Sequence, residues 1–498
     1  MDSQPALQIF NTLTRQKETL VPLVPGHLGV YVCGPTVYDL SHLGHARVYV
    51  AFDTIVRYLR RHFDVTYVRN FTDVDDKIIR RAQEAKEAPE ILSARCIEAF
   101  RADMAQLGVL PADVEPKVTE HVEPIVRMIE VLIAKGHAYS AGGDVYYAVD
   151  KFATYGRLGR RTLEDMEAGA RVEVSAHKRH PMDFVLWKAA KPGEPQWPSP
   201  WGAGRPGWHI ECSAMARQYL GDQFDIHGGG RDLIFPHHEN EVAQSEAANG
   251  VPFASLWMHN GMINVGSQKM SKSLGNFSTV RALLQAYEPQ TLRYYLLATH
   301  YRSSIQFTPE ALADADQRVQ YIYLTLARLR VCLGADAEVS PAAAPAACAA
   351  AQAEGTLDAR IPADLLARFD ASLADDFNTP QALGELAVAF KVANDLLDRP
   401  REPMQDQRSL VFLNAAVQAC GEVLGLFVGA PVVILAALQA RRQGRGAVDP
   451  ARIEALIGER TAARADRNFG RADAIRQELE GMGVVLKDSP KGTTWLLG

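Results

Sequence analysis

The sequence predicts an α/β fold: a parallel, doubly wound sheet laid down in two halves around an insertion, followed by a helical bundle and a small terminal domain. Three observations carry this expectation. Strand-type and helix-type segments alternate over the first 110 residues, the alternation stops near Val118 and resumes at Trp208, and from Thr308 onward the apolar spacing is almost entirely helical. At 498 residues the chain also exceeds what one compact core organises.

Taken in order, residues 30–32 form a short apolar run that stops at the turn signal Cys33-Gly34-Pro35. Val48, Phe52, Ile55 and Leu59 then fall on one helical face at 4-3-4 spacing. Residues 65–68 read as the next strand and 78–107 as mostly helix. Residues 118–207 break the rhythm with one helix, a hairpin-like run at 144–150 and a Pro-, Gly- and Trp-rich loop at 192–208, which marks an inserted module. The α/β pattern returns with a helix at 208–220, a strand at 224–227 and a helix at 236–249. The expected division is 1–117 and 208–265 for the two halves of the sheet domain, 118–207 for the insertion and 266–315 for a lysine-bearing stem. Residues 316–443 are expected to form the bundle and 444–498 the terminal domain. Within the bundle, the Ala/Pro-rich stretch 340–353 is expected to be a linker too low in complexity to build a core.

Bulk properties narrow the function classes. A formal net charge of -6 means that any nucleic-acid site must be a local basic surface. The first eight residues lack the basic and apolar regions of a secretory signal, and the apolar stretch 424–438 is broken by Gly425, Gly429 and Pro431. Six cysteines without a Cys-x-x-Cys spacing do not form a disulfide framework. A cytoplasmic protein with no membrane role is expected.

Ser41-His42-Leu43-Gly44-His45 follows the first strand and opens the first long helix. A helix N-terminus suits a phosphate, and two imidazoles there add donors as charge builds at a reacting phosphorus. Lys269-Met270-Ser271-Lys272-Ser273 places two lysines three apart between Gly266 and Gly275, a cationic loop able to close on a pyrophosphate. Both segments, in this order on two halves of a split α/β domain, resemble the two signatures of class I aminoacyl-tRNA synthetases. The resemblance implies that His42, His45, Lys269 and Lys272 bind ATP and stabilise adenylate formation.

Metal-type residues bear on the substrate. His237 and Glu241 are i and i+4 on a helix opened by Pro236, so they point the same way as two ligands of one metal must. Cys33 and Cys212 lie at the edges of expected elements near the ATP motifs, and thiolates would favour zinc over a hard cation. Spacing alone leaves His209, His227 and His238 open as further ligands. The strings Tyr31-Val32-Cys33-Gly34-Pro35-Thr36-Val37-Tyr38-Asp39, Gly207-Trp208-His209-Ile210-Glu211-Cys212-Ser213, His227-Gly228-Gly229-Gly230 and Asp375-Asp376-Phe377-Asn378-Thr379-Pro380 are similar to the cysteinyl-tRNA synthetases, with similarity from about Leu7 to Trp495. The resemblance implies a class I synthetase Rossmann-type parallel sheet split by an insertion, then an α-helical bundle, with 444–498 as an anticodon-binding domain. It places one zinc per chain on Cys33, Cys212, His237 and Glu241. It places the amino-acid pocket on Thr36, Thr72, Trp208 and Asp232, with Asp232 facing the ammonium. It implies ATP with Mg²⁺, L-cysteine and tRNA(Cys) as substrates of a monomeric enzyme.

Two rivals are weighed beside it. A cysteine ligase acting on an aminosugar shares the core but lacks the C-terminal extension. A catalytically dead tRNA-binding protein would not need both ATP motifs. In the tail, Arg452, Arg460, Arg464, Arg467, Arg471 and Arg476 with Trp495 suit anticodon contacts, although acidic residues nearly balance them.

Overall fold

The computed structural model describes residues 6–162, 177–265, 268–269, 278–334, 340, 343–362, 364–399, 404–446, 450–482, 484–489 and 492–497. A hairpin of β1 (Gln8–Asn11) and β2 (Gln16–Thr19) leads into β3 (His27–Val32). The helix Leu43–Leu59 returns the chain to β4 (Asp64–Arg69), and the helices Asp76–Ala85 and Pro89–Gln106 follow. The insertion supplies the helix Val122–Ala134 and an antiparallel sheet of β5 (Ala138–Ala141), β6 (Asp144–Tyr147), β7 (Phe184–Ala189) and β8 (Gly204–Pro206). Its hairpin is therefore centred on Gly142 and Gly143, earlier than the 144–150 run expected, because both glycines take the positive φ that the tight turn needs. The helix Trp208–Leu220, β9 (Phe224–Gly230), the helix Glu239–Asn249 and β10 (Ala254–Asn260) complete the α/β unit.

The four long strands form one parallel sheet in the order β10-β9-β3-β4. The winding reverses between β3 and β9, and the crevice of such a sheet opens there, outside the carboxyl ends of the strands. Side chains alternate across β3: Leu28, Val30 and Val32 join the core beneath Leu43–Leu59, whereas Tyr31 and Cys33 join the opposite core with Ile210, Cys212 and Val242. That alternation turns Cys33 toward the helix that carries Cys212.

Behind the sheet, β11 (Ile263–Val265) pairs with β12 (Gln268–Lys269) and β13 (Ile305–Gln306). The helices Val280–Ala286 and Pro289–Leu297 lead to the bundle of Pro309–Leu333, Leu365–Ala374, Thr379–Leu397, Met404–Leu424 and Pro431–Gly446. Fully buried Arg293 joins the two units, pairing with Asp53 and donating to the Leu424 carbonyl at 2.7 Å and the Leu107 carbonyl at 3.0 Å. Asp376, at φ 60°, accepts from the Phe10 N–H at 3.0 Å, the Tyr301 hydroxyl at 2.8 Å and Arg302 Nε at 2.6 Å. The Asp375 to Pro380 motif thus knots the N-terminal hairpin, the stem and the bundle.

The linker expectation for 340–353 needs correction. Ala344–Ala353 is a helix, with Ala344, Cys348 and Ala351 buried in the main core. Alanine is the strongest helix former, Pro345 sits in the first turn, and small side chains at i, i+4 and i+7 allow close packing. The longest helix, Pro309–Leu333, is capped by Thr308, whose hydroxyl accepts from the Ala311 N–H at 3.2 Å. Thr308→Ala is expected to cost about 1 kcal/mol, seen as a small fall in the thermal midpoint followed by far-UV circular dichroism.

The tail has its own core of Ile453, Ile457, Ile475, Leu479 and Val484 under the hairpin β14 (Val484–Ser489) and β15 (Gly492–Leu497). Its arginines are largely committed to the tail's own acids. Arg460 holds Asp488 through two 2.7 Å bonds, Arg464 holds it at 2.8 Å, and Arg471 holds Glu459 at 2.7 Å. Trp495 is half-buried and donates to Glu454 at 2.7 Å, leaving Phe469, 61% exposed, as the tail's open aromatic. Among the described residues no helix is long and apolar enough to cross a membrane.

Candidate active site and metal centre

A cleft of about 560 Å³ opens at the β3/β9 switch point. Its lining includes Cys33, Thr36, His42, His45, Thr72, Trp208, Cys212, Asp232 and His237, so nine of the twelve residues expected from sequence face one space. Of the other three, Glu241 lies fully buried among the deeper donors. Lys269 belongs to β12, its side chain outside the described residues, and Lys272 lies outside them altogether.

The upper wall is built at the start of the helix Leu43–Leu59. His42 is its N-cap, and His45 Nδ1 accepts from the His42 N–H at 3.3 Å. The two rings stack with centroids 3.9 Å apart and planes 12° from parallel. Gly44 makes room for this, because a Cβ there would meet the His42 ring at 2.8 Å. The helix thus presents two imidazoles and its own positive end to the cleft. Ser278 and Val280 bond to this loop: Leu43 N–H to the Ser278 carbonyl at 3.1 Å and Val280 N–H to the Ser41 carbonyl at 2.8 Å. β12 pairs with β11, which continues from the cleft residues Asn260 to Ile263. Both flanks of the 269–273 lysine motif are therefore tied to the cleft by backbone pairing.

The floor holds the metal-type donors. Cys33 Sγ lies 3.7 Å from Cys212 Sγ and 3.5 Å from Glu241 Oε1, and His237 Nε2 lies 3.0 Å from the same Oε1. Phe235 is extended (φ −139°, ψ 132°), so the helical turn begins at Pro236 and sets His237 and Glu241 on one face. One donor atom from each of the four residues falls within 4.8 Å of the others. Burial, then the neighbouring Cys212 and Glu241, push the Cys33 thiol well above its usual range; burial also raises Cys212. Burial and the nearby His209 hold His237 well below the ordinary imidazole range. Such a cluster has no comfortable protonation state of its own, since its charged forms are desolvated and its donors crowd together.

A second grouping shares Cys33 and Glu241 but adds His227 and His238. His227 Nε2 is 2.8 Å from Glu241 Oε2, and His238 Nε2 is 3.3 Å from Cys33 Sγ. His238 Nδ1 in turn meets His259 Nε2 at 2.7 Å, and His259 Nδ1 meets Thr12 Oγ1 at 2.8 Å. Neither His227 nor His238 lines the cleft. His209, also left open by spacing, meets His237 Nδ1 to Nδ1 at 3.0 Å on the side away from Glu241.

The pocket side walls are equally specific. Trp208 stacks on His237 with centroids 4.3 Å apart. Thr72 pairs with Thr36 through the backbone, and its hydroxyl donates to Glu211 at 2.8 Å, whose carboxyl is held well above its usual range by burial. Sequence reasoning missed Asn70, Lys77, Arg80 and residues 260–263, all of which line the cleft. Asn70 Oδ1 accepts from the Gly34 N–H at 2.8 Å, and a Cβ on Gly34 would sit 1.4 Å from the Asn70 carbonyl oxygen. Gly34 follows β3 and Asn70 follows the adjacent β4, and the glycine is the sequence signal for that contact.

Comparisons with known proteins agree with this geometry. Residues 19–317 match the family described as tRNA synthetases class I (C) catalytic domain, 368–428 the DALR domain, and 449–495 the cysteinyl-tRNA ligase anticodon binding domain. The chain is 52% identical over 496 residues to the cysteine--tRNA ligase of Pelobacter propionicus, covering 98% of this chain and 99% of that one. It is 50% identical over 494 residues to that of Geobacter sulfurreducens, with the same coverage. The fold is similar to methionyl-tRNA synthetase of Mycobacterium tuberculosis in complex with methionyl-adenylate, at TM-score 0.58 and 18% identity, covering 82% of this chain and 93% of that chain. The switch-point cleft, the histidine-capped helix and full-length kinship point the same way: the chain belongs to the cysteinyl-tRNA synthetase family of class I, enzymes that use ATP to join cysteine to tRNA.

Proposed function

We propose that the cleft activates L-cysteine to cysteinyl-adenylate and passes it to the 3′-terminal adenosine of tRNA(Cys), with a zinc ion on Cys33, Cys212, His237 and Glu241 choosing the substrate. The observation that carries this reading is the donor set at the cleft floor. Tetrahedral zinc with bonds of 2.0–2.3 Å has ligand–ligand edges of about 3.3–3.8 Å, and the separations of 3.7, 3.5 and 3.0 Å lie close to that range. Two thiols make the set soft, and three of its members face the cleft, which favours it over the grouping with His227 and His238. When bound, zinc would supply a soft Lewis acid that holds a thiol as thiolate, a preference that serine and alanine cannot satisfy. An apolar pocket alone discriminates by only about 1–3 kcal/mol. The insertion, at about 90 residues, then needs no editing site.

The other residues follow from chemistry and position. Asp232 receives the substrate ammonium, and Thr36, Thr72 and Trp208 enclose the rest of the amino acid. The substrate carboxylate oxygen attacks the α-phosphorus of Mg²⁺-ATP, the bond to the bridging oxygen breaks, and pyrophosphate leaves. His42 and His45 donate to the charge that develops there, and Lys269 and Lys272 neutralise the leaving group. A ribose hydroxyl of the tRNA terminus then attacks the carbonyl carbon and AMP leaves. The sheet halves (1–117, 208–265) and the stem (266–315) carry this chemistry, while the insertion (118–207), bundle (316–443) and tail (444–498) hold the tRNA. The enzyme acts as a monomer in the cytoplasm.

The test is cysteine-dependent ATP–pyrophosphate exchange on protein assayed for metal. One zinc per chain, with exchange that disappears on chelation and returns with zinc, supports the reading; equal exchange with serine overturns the selecting role. Asp232→Asn is expected to raise the KM for cysteine about tenfold with the KM for ATP unchanged, because a charge-assisted contact to the ammonium is lost.

A further inference from the structure

Two turns meet just outside the cleft. Arg15 closes the β1–β2 hairpin and Arg160 lies in the insertion, and both hold left-handed backbone at φ 65° and 50°. Each reaches across to the other loop: Arg15 Nη2 donates to the Leu158 carbonyl at 3.1 Å, and Arg160 Nη2 to the Thr14 carbonyl at 3.3 Å. Arg231 completes the group, standing between the cleft residues Gly230 and Asp232.

This concentration of cations finds no counter-charge among the described residues. Among the described residues no carboxylate lies within ion-pair distance of Arg15, Arg160 or Arg231, although Arg157, close by in sequence, pairs with Glu246. The nearby acids serve other donors: Glu18 accepts from Thr14 and Asn11, and Glu239 accepts from the Gly156 and Gly159 N–H groups at 2.8 Å each. Like charges gathered on two sterically costly turns, with no described carboxylate between them, suit an anionic ligand. The proximity is felt at Arg15, whose guanidinium is pulled below its ordinary value by burial and then by Arg160 and Arg231.

We propose that Arg15, Arg160 and Arg231 form a phosphate-binding site for the 3′ strand of the tRNA as it enters the cleft. The inference rests on the reading that aminoacyl transfer occurs in this cleft. None of the three arginines lines the cleft, so a ligand that reaches both must extend outward from the reacting end, as a polynucleotide does and a nucleotide does not. Guanidinium groups fit phosphodiester oxygens geometrically, and contacts of this kind position a nucleic acid without reading its sequence.

The experiment compares the wild-type chain with the Arg15→Gln/Arg160→Gln double variant and the Arg160→Gln single variant, the latter keeping the Arg15 bond to Leu158. Charging of tRNA(Cys) is measured over a salt series, and ATP–pyrophosphate exchange is measured on the same preparations. The expected result is a rise of about tenfold in the KM for tRNA in the double variant, a shallower log KM against log salt by roughly 0.7–0.9 per phosphate released, and exchange parameters like wild type. Arg160→Lys should recover part of the loss through its charge. An unchanged tRNA KM and salt slope in both variants, with exchange intact, overturns the site. A raised KM for ATP without a change for tRNA overturns it in favour of a nucleotide phosphate. Failure of exchange in the wild type would instead strike the underlying reading of the cleft.

Discussion

Replacing Cys212 with alanine is expected to strip the metal and lower kcat/KM for cysteine in pyrophosphate exchange by about 1,000-fold or more. The size follows from where Cys212 stands. It supplies one of only two thiols on the cleft floor, 3.7 Å from Cys33, on the buried face of its helix. Changes to residues that merely orient a metal ligand cost about 10–100-fold, and loss of a ligand together with the substrate's selecting partner must exceed that. The helix itself should survive, since alanine is at least as good a helix former as cysteine. Metal analysis and exchange on the same preparation check both halves. A variant that retains zinc and near-normal exchange would show that His227 or His238 completes the ligand set.

Changing His45 to alanine should lower kcat for exchange by about 100- to 1,000-fold, with little change in the KM for cysteine. A donor aimed at charge that builds only in the transition state affects kcat and kcat/KM alike. His45 also accepts the His42 N–H at 3.3 Å and stacks on the His42 ring. The variant therefore loses one imidazole and frees the other. His42→Ala, which removes the cap ring while leaving His45 on the helix, should fall in the same range. Steady-state exchange with ATP and cysteine varied separately distinguishes this from a binding defect, which would raise KM at constant kcat.

Much of the architecture was legible in local spacing. The split sheet, the insertion and the helix Trp208–Leu220 follow from apolar periodicity, and the i, i+4 relation of His237 and Glu241 survives because Pro236 begins a helical turn. Cys33 and Cys212, 179 residues apart, come together through the alternation of β3 and the return of β9 beside it. No local pattern states that pairing; the position of both cysteines near the ATP motifs hints at it, and the family resemblance supplies the full ligand set. The backbone approach of Asn70 to Gly34 and the reciprocal bonds of Arg15 and Arg160 are tertiary facts of the same kind. The 340–353 stretch departs from the linker expectation because the helix propensity of alanine prevails over low complexity and tertiary packing uses the small side chains. His238 and His259 illustrate a further difficulty: one buried histidine meeting a thiol and another meeting a hydroxyl look alike in sequence.

The most direct test of zinc selection is X-ray absorption at the zinc edge of the purified chain, before and after addition of cysteine. The expected spectrum shows two sulfur scatterers in the free protein, from Cys33 and Cys212, and three once cysteine is added, with no change on adding serine. A sulfur count that stays at two in the presence of saturating cysteine would contradict the claim that the metal holds the substrate thiol.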